Sequence, residues 1–216
     1  MITTGWNVLT MNFIIKNMDI DQLLATLPDK ELRWKSTTSK VFKRDLYNFL
    51  VDKQISNILE IGTNQGLTSL ILSYVSNKVY TIELMEHNII EAKKHCDGRN
   101  NIEFIQGDAY SNLTYSSCPK YFDVVVIDCL HDYVSVIKNI NQALSFFNPD
   151  QGIYLIFDDY SHPEFSGVKK AIDESIQMGL KIEKYIGQPK GHIVNTSETH
   201  SFKLIGPEGI ILSYGK

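Results

Sequence analysis

Acidic side chains recur where the apolar runs of this sequence end. Glu83, Asp108, Asp128, Asp158 and Asp159 each close or directly follow such a run. One acid at a strand end is most often a helix cap, but ligands of open α/β sheets bind outside the carboxyl ends of the strands. Acids at several neighbouring strand ends therefore predict one shared polar site, suited to hydroxyl groups and to divalent cations that prefer oxygen donors.

The segment 57–68 is the most informative part of the chain, because an apolar strand breaks there into a glycine-bearing turn and runs straight into a helical pattern. It contains only Gly62 and Gly66, and Asn64 stands where a dinucleotide-binding turn has a glycine against phosphate. Glu83 lies about 20 residues further on, where such turns have the acid for the ribose hydroxyls. The pattern predicts a ligand without phosphates, such as an adenosyl nucleoside with an amino-acid tail.

Strand and helix periods alternate along most of the chain, which indicates a mostly parallel sheet covered on both faces. We predict an α/β class, Rossmann-like doubly wound, seven-stranded sheet with an antiparallel last strand, because no helix separates the last two strands. The predicted strands are 57–62, 78–84, 101–106, 122–128, 152–158, 181–187 and 201–212, and the predicted helices after residue 55 are 66–76, 86–96, 133–147 and 163–178.

Residues 1–54 are predicted to form an N-terminal helical extension, and residues 55–216 the ligand-binding domain, within one compact domain overall. Helical spacing covers 19–27 and 39–52, with Thr37, Thr38 or Ser39 available as the cap of the second helix. The polar segment 188–199 is predicted to be a surface connection, with closure over a substrate as the alternative.

Charge and composition exclude several classes of function. The formal net charge is −4 over 216 residues, which argues against broad binding of a nucleic-acid backbone. Three cysteines are odd in number and lack metal-type spacing, so we expect free thiols. The N-terminus lacks a secretion signal and no apolar run reaches membrane-spanning length, so we expect a soluble, cytoplasmic protein with a small molecule as its partner and a homodimer as an open alternative.

Three motifs in order resemble those of class I S-adenosylmethionine (SAM)-dependent methyltransferases, especially the catechol and macrocin O-methyltransferase-like groups. They are Glu60-x-Gly62-x-x-x-Gly66-x-Thr68, Asp128-Cys-Leu-His-Asp-Tyr133 and Leu155-Ile-Phe-Asp-Asp-Tyr160. The resemblance implies SAM as the cofactor. The residues it implies for cofactor binding are Glu60, Gly62, Thr63, Gly66, Thr68, Glu83, Asp108, Ala109 and Asp128, with Thr68 near the methionine carboxylate and Asp108 and Ala109 near adenine.

The same resemblance implies a metal site and a catalytic base. Carried over residue by residue, Asp128, Asp158 and Asp159 become ligands of Mg²⁺ or of another divalent cation, although the family usually has asparagine at position 159. His131, beside Asp128, becomes the base, with an imidazole pKa near 6.5 that allows proton transfer at neutral pH. His162 is a second candidate, in a segment that also reads as a helix capping box.

The resemblance therefore implies a SAM-dependent, divalent-metal-assisted O-methyltransferase acting on a hydroxyl of a small molecule, such as a sugar or a phenolic natural product. One alternative is a metal-independent methyltransferase acting on nitrogen, peptide or RNA. A second is a non-catalytic SAM-binding protein. A nicotinamide-dependent oxidoreductase is disfavoured by Asn64 and by the absence of a third glycine.

Overall fold

The computed structural model describes residues 19–27, 38–195 and 200–216. Part of the predicted extension and the cap candidate Thr37 lie outside these residues. The helices are α1 (Ile20–Thr26), α2 (Lys40–Leu50), α3 (Leu67–Ser73), α4 (Glu86–His95), α5 (Tyr133–Ser145) and α6 (Ser166–Gln177), with one 3₁₀ turn at Asn112–Tyr115. The strands are β1 (Asn57–Ile61), β2 (Lys78–Glu83), β3 (Ile102–Gln106), β4 (Val124–Ile127), β5 (Ile153–Phe157), β6 (Lys181–Ile186), β7 (Ile193–Asn195), β8 (Ser201–Lys203) and β9 (Gly209–Tyr214).

Seven of these strands form one sheet in the order β3-β2-β1-β4-β5-β9-β6. The first five strands in this order pair in parallel, and β9 pairs antiparallel with both β5 and β6. The predicted α/β fold with a mostly parallel seven-stranded sheet is confirmed. Parallel neighbours end at one edge of the sheet, so the loops that follow β1, β2, β3, β4 and β5 meet there.

The last predicted strand, 201–212, is wrong as a single element. Residues 201–203 form β8, which pairs with β7 in a separate two-stranded ribbon, and β9 begins only at Gly209. Pro207 lies between the two strands, and proline has no backbone N–H to donate to a ladder. Part of the segment predicted as a surface connection is therefore the strand β7.

A side-chain cap sets where α2 begins, whereas α6 begins without one. Ser39 caps α2, because its side chain accepts a hydrogen bond of 3.0 Å from the backbone of Phe42. The predicted capping box at 161–164 does not start a helix, and α6 begins at Ser166. The backbone N–H of Glu164 donates instead to His162 Nδ1 at 3.1 Å, so this segment forms a turn that presents His162.

The sheet divides the core into two layers. On one face, α1, α2 and α3 bury side chains such as Leu24, Phe42 and Leu46. On the other face, α5 and α6 cover the sheet through side chains such as Val136 and Ile172. All four residues of β4 are at most 4% exposed, as expected for the central strand of a parallel sheet. Among the described helices, none has both the length and the apolar character needed to cross a bilayer.

Candidate functional site

The turn after β1 brings the chain against the end of β4. Gly62 has φ +104, and a Cβ added there would lie 1.7 Å from the carbonyl oxygen of Asp128. Asn64 also has a left-handed φ, +46, a conformation that asparagine tolerates better than most residues. The turn therefore keeps the left-handed geometry of a cofactor loop without a glycine at position 64, and it sets Asp128 directly beside the loop.

A cavity of about 990 Å³ opens above this turn, and we call it the strand-end cavity. Glu83 lies in its wall, with Oε2 accepting from the backbone of Asn64 at 2.8 Å and Oε1 from that of Met85 at 2.9 Å. These two bonds fix the carboxylate, whose oxygens retain further acceptor capacity. The lining residues are 62, 64, 82–85, 107–110 and 128–130.

Five of the predicted cofactor residues, Gly62, Glu83, Asp108, Ala109 and Asp128, line the strand-end cavity. Asp108 Oδ1 accepts from the backbone of Tyr110 at 2.9 Å, which orients that carboxyl group within the loop after β3. The cavity therefore collects predicted residues from the loops after β1, β2, β3 and β4.

The other predicted cofactor side chains lie behind the loop. Glu60 is 1% exposed, and its carboxylate accepts hydrogen bonds from Ser69 and, at 2.6 Å, from Thr81. Thr63 Oγ1 lies 2.5 Å from Thr81 Oγ1 and joins the same network. Burial raises the pKa of Glu60 to about 7. The structure thus places Glu60 and Thr63 as internal supports of the loop, because their polar atoms are used inside the core.

Gly66 and Thr68 are also turned toward the interior. Gly66 has φ +75, and an added Cβ would lie 2.7 Å from the Cβ of Ala92 in α4, so glycine allows α3 and α4 to approach. Thr68 is 8% exposed, and its hydroxyl lies 3.2 Å from that of Thr38 at the start of α2. Neither residue lines the strand-end cavity.

Asp128, His131 and Asp158 form a cluster at the ends of β4 and β5. One ligand atom from each lies within 4.8 Å of the other two. The cluster forms because β4 and β5 are parallel neighbours, and because His131 lies in the short turn between β4 and α5. Asp159, predicted from the family pattern as the third metal ligand, is not part of this group; His131 is in its place.

Asp159 contacts the cluster through His131. It has a left-handed φ of +49, and its Oδ2 lies 3.1 Å from His131 Nε2. The same nitrogen lies 3.9 Å from Asp128 Oδ1. Burial lowers the pKa of His131, but the carboxylates of Asp128 and Asp159 outweigh that effect and raise the pKa to about 9. This differs from the value near 6.5 expected for a base, since an imidazolium has no lone pair with which to accept a proton.

The cluster is suited to a divalent cation. His131 Nε2 is fully buried and, despite its ion-pair distance to Asp159, makes no hydrogen bond of adequate geometry. Asp158 is 7% exposed, so its carboxylate lies inside the protein at the end of β5. Two carboxylates and one imidazole are among the ligands that proteins use for divalent metals. The donor set therefore fits a divalent cation.

Aromatic rings extend from the cluster into a second cavity. The ring of Phe165 stacks on His131 at 4.3 Å and on His162 at 4.0 Å, and His162 contacts Phe202 of β8 at 3.9 Å. His162 is only 8% exposed. This row of rings connects the turn after β4 to the β7–β8 ribbon, and it was not predicted because it joins residues that are far apart in sequence.

The second cavity has about 710 Å³ of empty space and lies beside the β7–β8 ribbon, so we call it the hairpin cavity. Asp159 and His162 line it together with polar residues and with apolar side chains such as Val194, Phe202 and Leu204. The Glu208 carboxylate links two segments of the cavity wall, because it accepts hydrogen bonds from the backbone N–H groups of Ser39 and Gln188, each at 2.8 Å. The lining residues are 39, 40, 159, 162, 188, 192–195, 202, 204 and 208.

Residues 59–160 match a family described as a methyltransferase domain (Methyltransf_24). No curated protein matches the chain.

Solved structures share the fold at low identity. TomG, an O-methyltransferase from Streptomyces achromogenes involved in tomaymycin synthesis and solved with SAM, is 18% identical with a TM-score of 0.62, over 99% of this chain and 98% of that one. An O-methyltransferase from Bacillus cereus, solved with SAH, is 18% identical with a TM-score of 0.61, over 90% and 87%. The N-methyltransferase NodS from Bradyrhizobium japonicum WM9 is 16% identical with a TM-score of 0.54, over 80% and 94%.

Proposed function

We propose that this chain is a class I SAM-dependent methyltransferase, with the strand-end cavity as its cofactor pocket and the hairpin cavity as its pocket for the methyl acceptor. The observation that carries the proposal is the contact between them. Asp128 lines the first cavity, Asp159 lines the second, and His131 lies within 4 Å of both carboxylates.

In the strand-end cavity, the fixed carboxylate of Glu83 accepts hydrogen bonds from the ribose hydroxyls. Asp108 and Ala109 line the adenine position, and Gly62 lets the cofactor approach the backbone of the turn. Four interior residues hold this turn against β2, α4 and the start of α2. They are Glu60, Thr63, Gly66 and Thr68. Bound SAM supplies an electrophilic methyl group on its sulfonium.

In the hairpin cavity, the residues bind and orient a hydroxyl compound so that its oxygen faces the cofactor. Asp159 is the described carboxylate closest to His131 on this side, and it accepts the hydroxyl proton or receives a hydrogen bond from the hydroxyl. A divalent cation held by Asp128, His131 and Asp158 would lower the pKa of such a hydroxyl. Magnesium or another divalent cation can fill this role.

The reaction we propose is O-methylation of a small molecule, a sugar or a phenolic natural product. Two structures that share the fold over most of this chain are O-methyltransferases. The hairpin cavity combines apolar side chains such as Val194 and Phe202 with a few polar groups, as small-molecule sites do. The net charge of −4 does not favour an RNA acceptor.

A second candidate is a metal-independent methyltransferase acting on nitrogen, peptide or RNA. It is favoured by the ion pair of His131 with Asp159, because an imidazolium at this point supplies the positive charge that a cation would otherwise provide. The N-methyltransferase NodS shares the fold.

The test begins with calorimetric titration of S-adenosylhomocysteine (SAH) into purified protein, with and without chelator. Methyl transfer from labelled SAM is then measured on a panel of phenols, sugars and amines, after chelation and after divalent metals are restored. Micromolar SAH binding with metal-dependent methylation of hydroxyl compounds is expected. Methylation of amines that persists in chelator would favour the second candidate, and absence of SAH binding would contradict the cofactor assignment.

A further inference from the structure

The cluster offers two carboxylate oxygens and one imidazole nitrogen, so its donor atoms are not all oxygen. We infer that the site formed by Asp128, His131 and Asp158 uses the His131 imidazole as a direct ligand, and so selects a first-row transition metal such as Mn²⁺, Fe²⁺ or Co²⁺ over Mg²⁺. The inference deepens the proposed function and rests on it, because it names the cation that assists methyl transfer.

The distances support one shared ion. Donors bound to a single cation at about 2.1 Å lie roughly 3 to 4 Å apart. His131 Nε2 and Asp128 Oδ1 are 3.9 Å apart, and the Asp158 oxygen lies within 4.8 Å of both. Small side-chain adjustments therefore suffice to bring three donors onto one ion.

The environment of the imidazole supports its role as a ligand. Its Nε2 is fully buried, faces carboxylates and makes no hydrogen bond of adequate geometry. Phe165 stacks nearly parallel on the ring, at an interplanar angle of 11°, and Nε2 lies 3.1 Å from Asp159 Oδ2 and 3.9 Å from Asp128 Oδ1. Ligation requires the neutral imidazole, so a cation bound here displaces the proton that the ring shares with the Asp128 and Asp159 carboxylates.

Asp159 does not replace the imidazole in this arrangement. Its carboxylate lies outside the group of three, contacts the same His131 nitrogen and lines the hairpin cavity. In this arrangement Asp159 contacts the methyl acceptor, and the His131 nitrogen is the third ligand of the cation.

The chemistry of the donors sets the selectivity. Mg²⁺ binds oxygen ligands almost exclusively and gains little from nitrogen. Imidazole suits transition metals, whose affinity for mixed nitrogen and oxygen sites rises along the first row. A site that includes His131 therefore binds Mn²⁺ or Co²⁺ more tightly than Mg²⁺.

The experiment measures metal binding directly. Chelated protein is titrated with Mn²⁺, Co²⁺ and Mg²⁺ by calorimetry, and the Mn²⁺-loaded protein is studied by pulsed electron paramagnetic resonance for coupling to an imidazole nitrogen. We expect nitrogen coupling and at least roughly tenfold tighter binding of Mn²⁺ and Co²⁺ than of Mg²⁺. His131→Ala should abolish the coupling, and His131→Glu, which offers oxygen in place of nitrogen, should also reduce the preference over Mg²⁺.

His162→Gln is the matched control, because His162 is stacked on the same phenylalanine but lies outside the cluster. It should retain the nitrogen coupling. Coupling that survives in His131→Ala, or Mg²⁺ binding as tight as that of Mn²⁺, would overturn the inference while leaving metal-assisted methylation in place. SAH binding without binding of any of these metals would overturn both the inference and the metal dependence, whereas absence of SAH binding would contradict the proposed function itself.

Discussion

His131 Nε2 lies 3.1 Å from Asp159 Oδ2, and this contact joins the metal-type cluster to the wall of the hairpin cavity. The two residues come from different turns, one after β4 and one after β5. Because the two residues are in contact, we expect a change at either one to affect both cavities.

Asp159→Asn should lower the pKa of His131 from about 9 toward its usual value, because one of the two carboxylates that raise it is removed. A raised imidazole pKa stabilises the folded state below pH 6.5, and the stabilisation is lost as the pH rises through about 9. NMR titration of the imidazole in chelator measures the shift. Glu164→Gln, whose carboxylate instead contacts His200, serves as the control. An unchanged His131 pKa in Asp159→Asn would contradict the ion pair.

Glu83→Gln should weaken SAH binding roughly 10- to 100-fold, because a charged acceptor for the ribose hydroxyls becomes neutral and one of its backbone contacts is lost. Calorimetry with SAH measures the change. Glu86→Gln, at the start of α4 and outside the strand-end cavity, should bind SAH like the parent protein. A loss of less than twofold in Glu83→Gln would exclude Glu83 as the ribose ligand.

Gly62→Ala should lower the free energy of unfolding by at least about 3 kcal/mol, because the left-handed backbone is strained and the new methyl group overlaps the Asp128 carbonyl. Gly98→Ala tests the backbone effect alone. Gly98 has φ +77, and an added Cβ would meet no atom within 4 Å, so a loss of about 1 kcal/mol is expected. Urea denaturation measures both variants, and equal losses would show that the close approach to Asp128 has no energetic consequence.

Glu60→Gln should flatten the dependence of stability on pH. Burial raises the Glu60 pKa from 4.5 to about 7, so the folded state holds its proton over a range in which the unfolded state has lost it. Stability of the parent protein should therefore fall by up to about 3 kcal/mol as the pH rises from 4.5 to 7. Denaturation at several pH values, with Glu86→Gln as the control, measures the effect. A difference between parent and Glu60→Gln that stays constant with pH would show that the buried group does not titrate in this range.

Phe202→Ala should raise the KM for the methyl acceptor roughly tenfold, because an aromatic wall of the hairpin cavity is removed. SAH affinity should be unchanged, since Phe202 does not line the strand-end cavity. Steady-state kinetics with the first active acceptor from the panel measures the change. Ile205→Ala is the matched control, because Ile205 follows the ribbon but does not line this cavity. If Phe202→Ala weakened SAH binding without raising the acceptor KM, the acceptor would bind outside the hairpin cavity.

The sheet and the positions of the acids could be predicted from the sequence because both depend on local patterns. Continuous burial of 124–127 indicates a central parallel strand, and parallel neighbours end at the same edge. The proximity of Asp128 and Asp158 follows directly, since each comes immediately after one of two adjacent strands.

The division of roles between His131 and Asp159 could not be predicted in the same way. Two adjacent acids at the end of β5 look equivalent in sequence, and only the left-handed backbone at Asp159 separates them. The β7–β8 ribbon was missed because each strand has three residues and gains its packing from distant partners such as His162. Short strands of this kind depend on tertiary contacts more than on their own pattern.

The insertion of β9 between β5 and β6 has a consequence for how the chain is made. Both β5 and β6 leave the ribosome before residues 209–214, so each exposes a row of unpaired backbone groups until β9 arrives. Unpaired strand edges promote association between nascent or incomplete chains. Translation that stops before residue 209 would thus leave both β5 and β6 without the strand that pairs with them.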